Sequence, residues 1–212
     1  MIDDPAAADR RRIVIVAGHS GSVEVARSHL TDSNADVRAA AIGALHRCSS
    51  ITDSELIAAT TDPEPVVRRR AAELSAGRPS VPLISLLTDS DDSVVEVAAW
   101  AAGEQGEIET PTDEVMLRLI ELGTSADAPL VREAAIASLG AIGDERGLAA
   151  ILSACTDKPQ IRRRAVLALA PFEGDDVTAA VEAALTDRDW QVRQAAEDLR
   201  RATGELSFGD DD

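Results

Sequence analysis

The stretch Leu30–Leu45, "LTDSNADVRAAAIGAL", decides the fold because its pattern returns along the chain. One further copy is "LTDSDDSVVEVAAWAAG" at 87–103, and another is "LTDRDWQVRQAAEDL" at 185–199. In each copy a Thr-Asp pair precedes an aliphatic residue and an alanine-rich segment. Recurrence at a fixed period is the sequence signature of repeat architectures. We therefore treat the pattern as one structural unit.

The Thr-Asp pair begins at positions 31, 61, 88, 156 and 186, with spacings of 30, 27, 68 and 30 residues. The longest spacing contains one more, divergent copy, in which Asp127 takes the place of the aspartate. Within that copy Val131, Ala135, Ile136 and Leu139 recur at the spacing of one α-helical face. A period near 30 residues with two helices per period predicts an α-solenoid.

The predicted fold is an all-α solenoid of six helix pairs preceded by an N-terminal half-repeat. Each pair has a first helix, called A, and a second helix, called B, which carries the alanine-rich segment. The B helices are predicted at 5–18, 36–47, 63–76, 92–105, 128–142, 159–172 and 189–203. The A helices are predicted at 22–30, 54–60, 80–87, 112–122, 145–155 and 176–185. We expect one solenoid domain over 1–206 and a disordered acidic tail over 207–212.

Two short motifs predict where A helices begin. "TDSE" at 52–55 and "TPTD" at 110–113 fit the capping box, the second with Pro111 at the first helical position. The recurring aspartate stands just before each B helix, so we interpret it as the helix N-cap.

An arginine follows most of these aspartates by five or six residues, too far around one helix for the two side chains to face each other. We therefore expect each arginine to reach the aspartate or the loop carbonyls of an adjacent repeat, which forms a ladder. Val95 replaces the arginine in one unit, so a gap is expected there, next to an insertion at 104–110. The predicted ladder residues are Asp32, Arg38, Asp62, Arg68, Asp127, Arg132, Asp157, Arg162, Asp187 and Arg193.

The formal net charge of -17 disfavours binding to nucleic-acid phosphates. The N-terminus lacks a signal-peptide pattern, and the apolar run at 13–17 is too short to span a bilayer. We expect a cytoplasmic protein without membrane contact, and an array of this length can stand as a monomer. Cys48 and Cys155 lie several repeats apart, so they are interpreted as small buried residues without a disulfide.

The segments "VREAAIASLGAIGDERGLAAIL" at 131–152 and "VVEVAAWAAGEQGE" at 94–107 resemble HEAT repeats of the phycobilisome-lyase type, and the resemblance extends over 5–203. The resemblance implies the solenoid fold. The family includes chromophore lyases, a di-iron hydroxylase and many bacterial scaffolds. The hydroxylases carry His-Glu pairs for their irons, whereas His19, His29 and His46 precede Ser, Leu and Arg. We therefore expect no metal, no other cofactor and no enzymatic activity.

The predicted B helices hold 15 of the 20 arginines, and the resemblance places these helices on a concave surface. Two interpretations stay open: the arginines are ladder residues with solvated neighbours, or they line a groove for an acidic segment of a partner. Trp100 is interpreted mainly as packing and Trp190 as a local hydrophobic staple.

We predict a non-enzymatic scaffold that binds a partner protein. The alternative is an accessory or lyase-type subunit that grips a cofactor-bearing protein, and nucleic-acid binding is less favoured. The candidate partner-binding residues are Arg69, Arg132, Arg163 and Trp100.

Overall fold

The computed structural model describes residues 5–206, which form two compact units, one ending at Ala101 and the other beginning at Ala102. Within 5–206 there are thirteen α-helices, one short 3-10 helix and no strand, so the predicted all-α class is confirmed. A single solenoid domain over 1–206 stays a prediction. The tail expected at 207–212 lies outside the described residues.

A helices and B helices alternate along the chain, as the repeat pattern predicts. The A helices are α2 (Val23–Ser28), α4 (Asp53–Ala59), α6 (Ile84–Leu87), α8 (Asp113–Ser125), α10 (Leu148–Ala154) and α12 (Asp175–Ala184). The B helices are α1 (Pro5–Ser20), α3 (Ala35–Arg47), α5 (Pro65–Leu74), α7 (Asp92–Gly106), α9 (Pro129–Ile142), α11 (Pro159–Ala168) and α13 (Trp190–Leu206). A 3-10 turn, Glu145–Gly147, precedes α10.

Prolines and caps explain where the observed helix starts differ from the predicted ones. α6 begins at Ile84 rather than at 80, because the residue before a proline avoids the helical region and Pro82 stands just upstream. The capping box at Thr52 is present, with reciprocal hydrogen bonds to Glu55. The predicted start at Thr110 is wrong: Thr112 is the N-cap of α8, and its hydroxyl accepts from the N–H of Val115.

In the first unit the B helices α1, α3 and α5 pack side by side in chain order, with α2 against α1 and α3 and α4 against α5. Their shared core is aliphatic, and it includes the fully buried side chains of Val14, Val37, Leu45 and Leu56. A single pair would leave this surface in water, so the stacking of pairs is what removes it from solvent.

The second unit repeats the arrangement. The B helices α9, α11 and α13 pack in order, while α8 packs on α9 and α10, α10 on α11, and α12 on α13. Each unit is therefore a two-layered stack of helix pairs, which is the solenoid pattern. None of the helices within the described range is both long and apolar enough to cross a lipid bilayer.

Neighbouring B helices approach closely because small residues face each other at the joint. In the first unit a Cβ on Gly18 of α1 would lie 2.8 Å from the Cα of Ala44 in α3. In the second unit a Cβ on Gly140 of α9 would lie 2.6 Å from the Cα of Ala168 in α11. Both contacts are shorter than side-chain atoms tolerate, so each glycine is needed for this helix spacing.

Candidate functional site

Within each unit, successive repeats are joined by arginines, of which Arg38 is representative. The Nε and Nη2 atoms of Arg38 donate to the two carboxylate oxygens of Asp62, in the next repeat, at 2.8 and 2.7 Å. The Nη1 atom of Arg38 donates to the carbonyl of Asp32, in the loop before its own helix, at 2.8 Å. The guanidinium therefore ties successive loops together through fork-shaped hydrogen bonds that a lysine could not form.

The same arrangement recurs within both units. In the first unit the arginine–aspartate pairs are Arg10–Asp32, Arg38–Asp62 and Arg68–Asp89. In the second unit they are Arg132–Asp157 and Arg162–Asp187. The structure thus brings together eight of the ten predicted ladder residues, together with Arg10 and Asp89, which the sequence reasoning did not include.

The two remaining ladder residues, Asp127 and Arg193, have no such pair. Among the described residues the exposed side chain of Asp127 takes part in no ion pair. Arg193 donates from Nη1 to the carbonyl of Asp187 at 2.7 Å, and no carboxylate of the described chain pairs with it. Val95, at the arginine position of its repeat, is buried with 4% of its surface exposed.

The interpretation of the recurring aspartate as an N-cap is wrong. The N-caps are Asn34 for α3 and Glu64 for α5, while the aspartates stand two residues earlier. There Oδ1 of Asp32 accepts from the N–H of Asn34 at 2.9 Å, which closes a turn within the loop. The carboxylate is thereby aimed at the arginine of the preceding repeat rather than at its own helix.

The ladder carboxyls are held in their ionised form. The pKa lies below its ordinary value at Asp32, Asp89, Asp157 and Asp187, chiefly because the paired arginine donates to the charged carboxylate. At Asp62 burial is the strongest influence and raises the pKa, but hydrogen bonds from Arg38 and from the N–H of Glu64 outweigh it. The pairs are therefore fully charged at neutral pH.

The four predicted partner-binding residues differ in how far they are accessible. The side chain of Arg132 is 11% exposed and its guanidinium binds Asp157, in agreement with its predicted place in the ladder, while its contact with a partner stays a prediction. Arg69 is an exposed residue of α5, and Trp100 in α7 is 44% exposed. Arg163 is an exposed residue of α11 and forms no hydrogen bond or ion pair within the described part of the chain.

Arg163 lines a shallow groove between the exposed faces of α11 and α13. The groove encloses about 280 Å³, and its walls are Arg163, Leu167, Trp190, Gln191, Gln194, Ala195 and Asp198. Trp190 is 65% exposed and Leu167 is 37% exposed. The indole of Trp190 therefore lies open to solvent beside an arginine, which does not support its interpretation as a local hydrophobic staple.

Most of the charged groups around this groove already have partners. The amide of Gln194 donates to Asp198 at 2.9 Å, and Arg201 donates to the same carboxylate at 3.3 Å. On the α9 side Arg164 lies 3.6 Å from Glu133. Arg163 is thus the cation that remains open here, so the groove offers a guanidinium and an apolar platform.

A second cavity in the same unit is larger, with a volume of about 560 Å³. Its lining combines the end of α11, the following loop, α12 and the far end of α13, and it includes Leu169, Phe172, Val177 and Leu199. It has formed where α13 carries Arg200 at a position that α11 fills with the buried Leu169. We read it as a packing gap at the last helix pair.

The sulfur and imidazole groups are not gathered into a reactive site. Both cysteines are free, and burial raises the pKa of the Cys155 thiol to about 11. His29 bonds through Nδ1 to the carbonyl of Val25 at 2.8 Å, whereas His19 and His46 are exposed. Over residues 5–206 no three His, Cys, Asp or Glu side chains come together as a metal site.

Comparison with solved structures shows repeat proteins of the same fold. A designed armadillo repeat protein solved with the peptide (KR)4 is 15% identical, with a TM-score of 0.65 over 85% of this chain and 98% of that one. YibA of E. coli is 18% identical, with a TM-score of 0.58 over 76% of this chain. The chain spans only 62% of the YibA length.

An engineered protein is 21% identical, with a TM-score of 0.57 over 97% of this chain and 69% of that one. No curated protein matches the sequence. The family model described as HEAT repeats matches residues 79–170 and 116–200, which together cover more than half of the 212 residues. With paired helices stacked in each unit and this match along the sequence, the chain belongs to the HEAT-repeat proteins.

Proposed function

We propose that this HEAT-repeat chain is a non-enzymatic, cytoplasmic scaffold that binds an extended segment of a partner protein in the groove between α11 and α13. The observation that supports the proposal most directly is that an unengaged guanidinium, Arg163, and the exposed indole of Trp190 line the same groove. Arginine and tryptophan are the residue types most enriched among the side chains that dominate binding energy.

The groove favours an acidic group next to an apolar side chain. The guanidinium of Arg163 can hold a carboxylate through two parallel hydrogen bonds, and Trp190 with Leu167 offers an apolar surface beside it. A basic segment would need a free carboxylate in return. Asp198 already accepts from Gln194 and Arg201, so that partner would have to displace existing hydrogen bonds.

The net charge of -17 favours basic partners rather than acidic ones, because it attracts them over long distances. At physiological salt, however, interactions between exposed charges are largely screened beyond about 8 Å. The groups in direct contact therefore decide what the groove holds. The designed armadillo repeat protein was solved in complex with the peptide (KR)4, so an array of this fold can bind a peptide. We expect the local charge of the groove in this chain to select a peptide of the opposite sign.

The proposal is tested with a displayed peptide library and the purified full chain. We expect the selected peptides to carry Asp or Glu beside a large apolar residue. Fluorescence anisotropy with one selected peptide should show at least about 10-fold weaker binding for Arg163→Glu and for Trp190→Ala, a loss of about 1.4 kcal/mol each.

The matched control is Arg188→Glu, which makes the same charge change at an exposed residue outside the groove lining. Its affinity for the peptide should stay within about 2-fold of the parent, below the about 0.5 kcal/mol that surface changes typically cause. Selection of basic peptides, or equal binding by Arg163→Glu and the parent, would refute the proposed groove. Arg132 is left unchanged in these variants, because its loss would break the ladder.

A further inference from the structure

The first helix carries aliphatic side chains on a face that the other B helices bury. Counted from the ladder arginine, the residue three positions on is Ile13 in α1 and alanine in α3, α5, α9, α11 and α13. All five of these alanines are fully buried, whereas Ile13 is 52% exposed. One turn later Val16 is 57% exposed, while its counterparts in α3 and α11, Ala44 and Ala168, are buried.

The contacts between B helices show what normally covers this face. Gly18 of α1 meets Ala44 of α3, and Gly140 of α9 meets Ala168 of α11. Each B helix therefore presents this face to the B helix that precedes it. Within the described residues, α1 has no such neighbour, so Ile13 and Val16 form an open stacking surface.

The adjoining A helix extends the surface. Ala26 of α2 and Leu56 of α4 are both fully buried, so we align the two sequences on these residues. In this alignment Val25 corresponds to Glu55. Glu55 accepts from Nε of Arg27, in the preceding A helix, at 2.8 Å, so this position also faces backward along the stack. Val25 is 40% exposed. We name the surface formed by Ile13, Val16 and Val25 the end face.

We propose that two copies of this chain pair through their end faces, with their α1 helices packed antiparallel about a two-fold axis. The two apolar residues of α1 are three positions apart, so an antiparallel arrangement sets Ile13 of each copy on Val16 of the other. A symmetric contact of this type closes on itself and leaves no exposed end face. This surface is independent of the groove between α11 and α13.

Electrostatics favour a second copy at this place. Residues 1–28 carry four arginines against Asp3, Asp4, Asp9 and Glu24, so this segment is formally neutral in a chain of -17. The repulsion between two acidic copies is therefore weaker where their α1 and α2 helices meet than it would be at an average surface of the chain. At the other end of the array the corresponding surface is polar, since α13 carries Glu197 and Arg200 where α11 has Val166 and Leu169. Head-to-tail stacking has no matching apolar partner there.

The size of the surface sets the strength of the pairing. A helix of 16 residues is about 24 Å long, so the contact falls at the small end of specific interfaces, near about 1,200 Å² in total. We expect a reversible dimer with a dissociation constant of about 10–100 µM. The expectation of a monomer, drawn from the length of the array, is replaced by this proposal.

Sedimentation equilibrium of the full chain between about 2 and 200 µM covers that range of dissociation constants. The parent should shift from monomer to dimer with concentration. Ile13→Glu and Val16→Lys should each weaken the dimer at least about 30-fold, because each places a charged group in an apolar contact. Leu117→Glu is the control: Leu117 in α8 is 66% exposed and lies outside the end face, so its dimer should persist.

Circular dichroism melting of each variant establishes whether it is folded. If Ile13→Glu does not fold, Val16→Lys alone is sufficient for the test. A parent that sediments as a monomer at the highest concentration overturns the proposal. A dimer that persists in the folded Val16→Lys variant also overturns the proposal. The same holds if Leu117→Glu weakens the dimer as much as Val16→Lys does.

Discussion

At the scale of single residues the ladder arginines explain an unusual composition. The chain has one lysine and 20 arginines, and five of these arginines form two-pronged pairs with an aspartate. Arg162 shows why: it is 6% exposed, and it donates to both oxygens of Asp187 and to the carbonyl of Asp157. A planar fork with fixed donors satisfies all three acceptors at once, whereas an ammonium group would leave some unpaired.

Replacing Arg162 by alanine should lower the free energy of unfolding by about 2–4 kcal/mol, because the carboxylate of Asp187 stays in a mostly buried place without its cation. Arg163→Ala, one residue further on, removes an exposed side chain and should change stability by less than about 0.5 kcal/mol. Urea unfolding followed by circular dichroism measures both. Equal losses in the two variants would contradict a structural role specific to the ladder position.

At the scale of helices the joints between B helices depend on glycine and alanine. At the joint between α9 and α11 there is no room for a methyl group on Gly140, because the backbone of Ala168 fills that space. The helix propensity of alanine favours the substitution by about 1 kcal/mol, while overpacking a joint of this type costs about 1–3 kcal/mol. The steric cost therefore outweighs the propensity.

We accordingly expect Gly140→Ala to destabilise the chain by about 1–2 kcal/mol in urea unfolding. The matched control is Gly77→Ala, because no atom lies within 4 Å of the Cβ that the substitution would add. That variant should unfold at the same urea concentration as the parent or slightly above it. A Gly140→Ala variant more stable than the parent would show that the two helices can move apart freely.

Helix positions were predictable from the sequence because the apolar spacing that specifies a helix lies within that helix. The ladder pairs were harder, since Arg68 and Asp89 meet only after two repeats stack, and nothing near either residue shows which partner it finds. The groove was partly anticipated through Arg163. The exposure of Trp190 was missed because a tryptophan at a helix start is compatible with burial as well as with exposure.

At the scale of the whole molecule the ladder couples stability to pH. The folded-state pKa of each ladder carboxyl that pairs with an arginine lies below the ordinary value of 3.8. Folding therefore favours the ionised form, and the stabilisation is fully present above about pH 5. It is lost as the pH falls through 3.8 toward the lower folded-state values, where the carboxylates take up protons and release their arginines.

We therefore expect the free energy of unfolding to fall steeply below pH 4 and Asp187→Asn to flatten that fall. The variant should be less stable than the parent at pH 7, and the difference should shrink as the pH approaches about 2. Urea titrations at several pH values measure it. Asp127→Asn, which changes an exposed aspartate without an ion pair, should follow the parent throughout. A difference between Asp187→Asn and the parent that is constant across pH would contradict this account.

The ladder also has a consequence for how such a gene can change. Arg10 binds the carboxylate of Asp32, and Arg38 binds that of Asp62. The two aspartates therefore have the same role, and they stand one period of 30 residues apart. Excising residues 33–62 by recombination would leave Asp32 in front of α5, where it could still receive Arg10 and offer its carbonyl to Arg68. An ancestral chain could thus have gained or lost whole periods without leaving an unpaired charge in the ladder.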